Sequence, residues 1–203
     1  MILWFSGNGA NASGNLENAR RLMERLDVAI VCVDYRGYGL SEGSPTESGL
    51  YQDGRAVYDL VRERGVPPHR IVLLGRSLGS AIAADVALDR PSGALVLETP
   101  FLSVADVAKV HYPFIPRFLI KTRYDTASKL ARIAVPTLIV QAERDELFPP
   151  NHAARLYELS AGSPKHLHVL AGSRHNDVFR EQRESYFSAW RDLLTALPRA
   201  AGS

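Results

Sequence analysis

A single cysteine, Cys32, occurs in the 203 residues, and it sits inside an apolar run. That excludes an intrachain disulfide and any metal site built on cysteine pairs. Nothing then calls for an oxidising compartment, and the expected setting is the cytoplasm. No stretch approaches the roughly 18 consecutive apolar residues of a membrane span, and the N-terminus has neither the basic head nor the cleavage signal of a secretory leader. An excess of charge of one sign is also lacking. The 24 Lys+Arg against 22 Asp+Glu leave a formal +2, too balanced for the basic stripe of a nucleic-acid partner. Internal repeats, low-complexity blocks and Gly/Ser linkers are missing too. Because Met1-Ile2-Leu3-Trp4-Phe5 reads at once as a core strand, further elements upstream are expected.

What is present is a 46% hydrophobic chain long enough for one well-formed core, so residues 1–203 are expected to form one domain. Short apolar runs alternate with longer segments of helical period. The runs fall at 2–6, 28–34, 70–74, 93–97, 135–141 and 166–170. This alternation predicts a three-layer α/β/α sandwich with about six mainly parallel strands covered on both faces. Leu16, Ala19, Leu22, Met23 and Leu26 share one helical face, and Val57, Leu60 and Val61 the next. A third helix, rich in alanine, starts at Leu78. Asn151, after two prolines, is the expected N-cap of another. Tyr186, Phe187, Trp190, Leu193, Leu194 and Leu197 give a last amphipathic helix, and residues 200–203 a frayed tail. Residues 101–132 break the rhythm with Pro113 and Pro116 among mixed apolar and basic residues. An insertion of that length between two strands is expected to be a cap over a site.

The pattern G-x-S-x-G occurs twice, as Gly39-Leu40-Ser41-Glu42-Gly43 and Gly75-Arg76-Ser77-Leu78-Gly79. Context separates the two. A nucleophile elbow needs a buried strand running into the serine and a helix leaving it, because that sharp turn lifts the hydroxyl above the sheet. Ile71-Val72-Leu73-Leu74 and the alanine-rich helix flank Ser77, whereas Ser41 lies among turn residues and is expected to be a loop residue. A serine hydroxyl needs a base at the same sheet edge. Among six histidines only His175 lies in a loop just after a strand, where the carboxyl ends of parallel strands gather ligands. His166 and His168 fall within a strand, His69 at the opposite end, His111 in the insertion, and His152 opens a helix. Asp145, after the strand at 135–141, is the expected acid, with Glu143, Glu146 and Glu98 as rivals and Asp177 expected to position the histidine loop. The chain order is then Ser, Asp, His.

An oxyanion formed at Ser77 would need two N–H donors, expected from Leu78 and from Asn8 in the glycine-rich turn Ser6-Gly7-Asn8-Gly9. That turn lacks the lysine of a phosphate-binding P-loop and the spacing of a dinucleotide fingerprint. Gly7, Arg76, Phe101 and Phe148 are the candidate substrate contacts. No metal or organic cofactor is called for.

Asp34-Tyr35-Arg36-Gly37-Tyr38-Gly39, Gly49-Leu50-Tyr51-Gln52-Asp53, Gly75-Arg76-Ser77-Leu78-Gly79, Glu98-Thr99-Pro100-Phe101 and His175-Asn176-Asp177 together resemble the Bem46-like branch of the α/β-hydrolases, over nearly the whole chain. The resemblance implies the α/β-hydrolase fold, with the first strand lying between the second and third so that oxyanion loop and elbow face each other. It also implies a serine hydrolase acting on carboxylic esters or thioesters. Ser6 departs from the histidine usual in the family, and the family's N-terminal anchor and two further strands are not seen. Strand 28–34 would then be a sheet edge, a position proteins normally protect. A second copy of the chain or residues upstream are the expected cover. Two other functions stay open, a serine peptidase and a catalytically silent hydrolase relative that binds a ligand or protein. The insertion has three readings: a wall admitting an acyl chain beside an anionic group, a peripheral contact with an acidic membrane, and, more plainly, a solvated cap.

Overall fold

Side chains along a strand point alternately to opposite faces, and here both faces of every central strand are apolar. In β1 (Ile2–Phe5) Leu3 and Phe5 join one buried cluster while Ile2 and Trp4 join the other. The same division runs through β3 (Val72–Arg76), β4 (Ala94–Glu98) and β5 (Thr137–Ala142). With β2 (Ile30–Val33) and β6 (Lys165–Leu170) these make one six-stranded sheet of order β2-β1-β3-β4-β5-β6, parallel throughout. β1 lies between β2 and β3, as the resemblance implied, and β2 forms an edge. The computed structural model describes residues 1–114, 116–178 and 184–197. Ile115 of the insertion and the tail at 200–203, expected to be frayed, lie outside them.

Helices cover both faces. α2 (Glu47–Glu63), α3 (Leu78–Asp89), α5 (Thr126–Leu130) and α6 (Asn151–Leu159) pack on the Leu3/Phe5 face, and α1 (Ala12–Leu26) and α7 (Glu184–Thr195) on the Ile2/Trp4 face. The result is the α/β-hydrolase fold. Residues 101–132 carry α4 (Val104–His111), a short turn of tighter helix at Arg117–Leu119, and α5.

The structure corrects three local expectations. Leu16 and Met23 on α1 are exposed, and Asn15, Ala19 and Leu22 form the buried line. A polar Asn15 turns inward because its amide donates to Ser6 Oγ at 2.8 Å and to the Asn11 carbonyl at 3.0 Å. On α2, Leu60 is exposed, and Leu50, Gly54, Tyr58 and Val61 face the sheet. Asn151 is the first residue of α6 and not its cap. Pro150 holds the cap position without a side-chain bond, since proline's fixed φ already suits a helix start.

Two motifs singled out by the resemblance are joined by a fork-shaped ion pair. The Arg36 guanidinium donates to both Asp53 oxygens at 2.8 to 3.1 Å, and the Arg36 N–H donates to Oδ2 at 2.9 Å. Burial tends to raise the Asp53 carboxyl, but these bonds outweigh it and hold the group below its ordinary range. The loop after β2 is thereby fixed to α2.

Candidate active site

Ser77 stands between the last residue of β3 and the first of α3 with φ 52° and ψ −120°, a conformation that costs an L-residue about 1–3 kcal/mol. Neighbouring bonds hold it there. Its N–H donates to the Glu98 carbonyl at 2.9 Å, and its own carbonyl accepts from Ser80 N–H at 2.9 Å and Ser80 Oγ at 2.6 Å. Close approach explains the two glycines of the motif. A Cβ on Gly79 would lie 2.0 Å from the Phe5 carbonyl oxygen, and one on Gly75 would lie 2.4 Å from the Gly79 oxygen. The other G-x-S-x-G serine, Ser41, is exposed in a loop and donates to the Asp34 carbonyl at 2.9 Å.

Three side chains from three loops meet at the carboxyl edge of the sheet. His175 Nε2 is 3.1 Å from Ser77 Oγ, and His175 Nδ1 is 3.0 and 2.9 Å from the two oxygens of Asp145. Both the histidine and the aspartate side chain are buried. Asp145 follows β5, and its Oδ1 also accepts from Leu147 N–H at 2.9 Å and Phe148 N–H at 2.8 Å, which fixes the carboxylate plane. Phe148 stands edge-on over the imidazole with ring centres 5.0 Å apart, and Phe101 packs behind it at 4.9 Å. The serine hydroxyl, imidazole and carboxylate thus form one hydrogen-bonded chain.

The rival acids have other partners. Glu146 Oε2 accepts from His175 N–H at 3.2 Å, and Glu143 Oε2 from Gly172 N–H at 2.7 Å, so both brace the histidine loop. Asp177 Oδ2 accepts from Arg174 N–H at 3.2 Å, the loop-positioning role expected of it. Glu98 is fully buried and accepts from Tyr186 O–H at 2.5 Å. Burial pushes its carboxyl up to about 7, against the opposing pull of Tyr186 and Arg76. Of the other histidines, His166 and His168 lie in β6, His69 precedes β3, His111 Nε2 lies 2.7 Å from the Leu147 oxygen, and His152 is buried at the start of α6.

Two cavities share Ser77. One, of about 310 Å³, is mixed in character and runs between Gly7, Asn8, Asn15, Arg76, Phe148 and His175. The other, of about 380 Å³, is mostly apolar and is walled by Tyr38, Leu78, Phe101, Val107, Tyr124 and Phe148. Asn8 borders both, and its Oδ1 accepts from Tyr38 O–H at 2.8 Å. A Cβ on Gly7 would lie 3.1 Å from Ser77 Cβ, so the first loop runs directly past the elbow, as does Leu78 at the start of α3. Of the four candidate substrate contacts, Gly7, Phe101 and Phe148 line these cavities. Arg76 borders the first, but its Nη2 donates to the His175 carbonyl at 3.3 Å and to Asn176 Oδ1 at 3.2 Å. Burial lowers the Arg76 pKa, and the charges of Glu98, Tyr186 and Asp145 oppose that shift. Ser6, where the family has histidine, is buried, with its carbonyl accepting from Tyr35 O–H at 3.2 Å.

Sequence reasoning did not single out Tyr38, Val104, Val107 and Tyr124 as cavity walls. Val104 and Val107 sit at i, i+3 spacing in the insertion, a signal that was available; Tyr124 carried none. Among the described residues no group of three or more His, Cys, Asp or Glu is arranged to hold a metal ion.

A family model described as serine aminopeptidase S33 (Hydrolase_4) matches residues 1–128. A Mycobacterium tuberculosis protein, Rv2307c, is 38% identical over 96% of this chain and 69% of its own length. The bem46 protein of Schizosaccharomyces pombe is 32% identical over 95% of this chain and 66% of its own length. Among solved structures, Est1E from Butyrivibrio proteoclasticus, with ferulic acid bound, superposes with a TM-score of 0.76 over 96% of this chain and 89% of that one, at 16% identity.

Proposed function

Because the chain belongs to the Bem46-like α/β-hydrolases, we propose that it is a serine hydrolase cleaving carboxylic esters or thioesters through an acyl-enzyme on Ser77. The observation that carries this reading is the hydrogen-bonded chain from Ser77 Oγ through both nitrogens of His175 to Asp145. In the first half-reaction His175 Nε2 takes the hydroxyl proton as Oγ bonds to the acyl carbon. The oxyanion so formed lies between the N–H groups of Leu78 and Asn8. Collapse breaks the bond to the leaving oxygen or sulfur, which receives the proton from His175. Water then repeats the sequence on the acyl-enzyme and releases the acid. Asp145 holds the imidazole tautomer with its proton on Nδ1 and stabilises the imidazolium while it exists. The apolar cavity bounded by Phe101, Val107 and Tyr124 is the proposed acyl site, and residues 101–132 act as its cap within a single domain.

The family model's description favours a second reading, an aminopeptidase. An aminopeptidase needs a carboxylate to receive the substrate ammonium, and the described lining of the two cavities includes neither Asp nor Glu. That weighs toward acyl esters. Fluorophosphonate labelling of wild type and Ser77→Ala tests the nucleophile, and a panel of nitrophenyl esters, acyl thioesters and aminoacyl nitroanilides tests the bond cleaved. Labelling that survives Ser77→Ala refutes the mechanism, and turnover confined to the nitroanilides refutes the substrate class.

A further inference from the structure

Five of the eleven large apolar side chains exposed among the described residues fall within ten positions of the insertion. Val110, Tyr112, Phe114, Phe118 and Leu119 are 51%, 54%, 78%, 84% and 59% exposed. Scattered single hydrophobics on a surface are ordinary, but a concentrated group marks an interaction face. The exposed charges that the segment itself contributes are basic, although Glu47 of α2 comes up against its end, accepting from the Arg123 N–H at 2.6 Å and the Tyr124 N–H at 2.7 Å. Lys109, Lys121 and Arg123 are exposed, whereas the two acids of residues 101–132 are engaged locally. Asp106 accepts from Ser103 Oγ, and Asp125 accepts from Ser128 N–H at 3.0 Å. Residues 101–132 hold six Lys+Arg against two Asp+Glu, while the rest of the chain holds 18 against 20. Of the six, Lys129 is nearly buried and paired with Asp85 at 2.9 Å, so the cations exposed beside the aromatic side chains are Lys109, Lys121 and Arg123.

We propose that the exposed side chains of residues 109–114 and 118–123 form a docking face for anionic lipid bilayers. Phe114, Phe118 and Leu119 enter the boundary between headgroups and acyl chains, and Lys109, Lys121 and Arg123 lie against lipid phosphates. Such a face needs both components, because apolar insertion and electrostatic attraction add in interfacial binding. No helix among the described residues is long and apolar enough to cross a membrane, so the contact is peripheral. The face also adjoins the apolar cavity. Val107 lines that cavity, and Val110 is its neighbour one turn along α4. A bilayer against this surface would hold acyl substrates next to the cavity. The docking itself does not depend on the proposed role of Ser77.

Vesicle flotation of the full chain tests it, with phosphatidylcholine vesicles compared with vesicles containing about a third phosphatidylserine. Binding to the anionic vesicles is expected to be at least about tenfold the stronger, and to be lost near 1 M salt. Phe114→Ser with Phe118→Ser should lower it about tenfold or more. Lys109→Gln, Lys121→Gln and Arg123→Gln together should reduce it to the level seen with phosphatidylcholine. Circular dichroism and fluorophosphonate labelling should be unchanged in both variants, since none of these residues touches Ser77, Asp145 or His175. Absence of flotation with anionic vesicles would overturn the proposal, as would flotation undiminished by the aromatic pair. So would a wild-type dimer that Phe118→Ser dissociates, because the face would then belong to a second copy of the chain.

Discussion

Replacing Glu98 by Gln removes a charge from beneath the elbow without changing the shape of the side chain. Glu98 lies at the end of β4, in register with Arg76, and it is fully buried with its Oε1 receiving the Tyr186 hydroxyl. Burial raises its pKa from 4.5 to about 7. In the unfolded chain the carboxyl is solvated and titrates at its ordinary value. Below about pH 4.5 it is protonated in both states and contributes no pH dependence. Between about 4.5 and 7 the unfolded state releases the proton while the folded state keeps it, so stability falls as pH rises. Above about 7 the loss is complete. A shift of that size corresponds to about 3 kcal/mol at 1.36 kcal/mol per unit.

Glu98→Gln cannot titrate, so its stability should lack this component. The two proteins share every other ionisable group, and the difference between them isolates the one carboxyl. Urea unfolding at intervals from pH 4.5 to 8 should show the variant gaining on wild type by about 3 kcal/mol across that range, whatever the constant offset between them. A difference independent of pH would refute the reasoning. It would mean that Arg76 and Tyr186 keep the buried carboxylate as easily ionised as water does.

Asp145→Asn should lower kcat about 10³- to 10⁴-fold with little change in KM, because the amide favours the wrong imidazole tautomer; steady-state kinetics on a short nitrophenyl ester measures it. Ser77→Gly should abolish turnover yet raise stability by about 1 kcal/mol, since glycine adopts the φ of 52° without strain. Thermal unfolding gives the sign, and a fall in Tm would contradict the strain assigned to the elbow. Val107→Trp fills the apolar cavity and should reduce kcat/KM for long acyl esters at least about tenfold more than for acetate. Equal losses across the chain-length series would move the acyl site elsewhere.

The sheet was legible because β1, β3, β4 and β5 are short apolar runs with both faces buried, and the half-exposed outer strands β2 and β6 also overlap runs visible in the sequence. Ser77, Asp145 and His175 were legible for a related reason. Parallel strands deliver their carboxyl ends to one edge, so residues just after β3, β5 and β6 must approach one another. Helix faces were read less well. Asn15 displaced Leu16 from the interior because a hydrogen bond to Ser6 competes with apolar periodicity, and nothing in hydrophobic spacing encodes that competition. The cavity walls were harder still. Tyr38 and Tyr124 come from segments 86 residues apart whose meeting depends on how loops fold over the sheet. Arg76 lines the cavity as expected, but its guanidinium also reaches across to His175 and Asn176, a contact over 99 and 100 residues that the sequence did not disclose.

Those long contacts bear on how the site works. The loops at the sheet edge are fixed by bonds from other elements: Asn8 by Tyr38, the histidine loop by Arg76 at the end of β3 and by Glu143 and Glu146, and the Leu147 carbonyl by His111 at the end of α4. The Asp145 carboxylate is held in turn by the backbone just after it. None of these bonds requires a ligand, so the hydrogen-bonded chain from Ser77 through His175 to Asp145 is assembled in the free protein. Catalysis by aligned dipoles depends on that prior arrangement, since reorganisation during the reaction would cost part of the stabilisation gained. The cap side is bound differently, through apolar walls from α4 and through Glu47, which accepts from the N–H groups of Arg123 and Tyr124. Apolar contact is non-directional and tolerates change in the shape of what it encloses. On the proposed reading this division would assign chemistry to the sheet edge and substrate choice to the insertion, and exchanging residues 101–132 between relatives should change acyl preference while leaving Ser77, Asp145 and His175 in place.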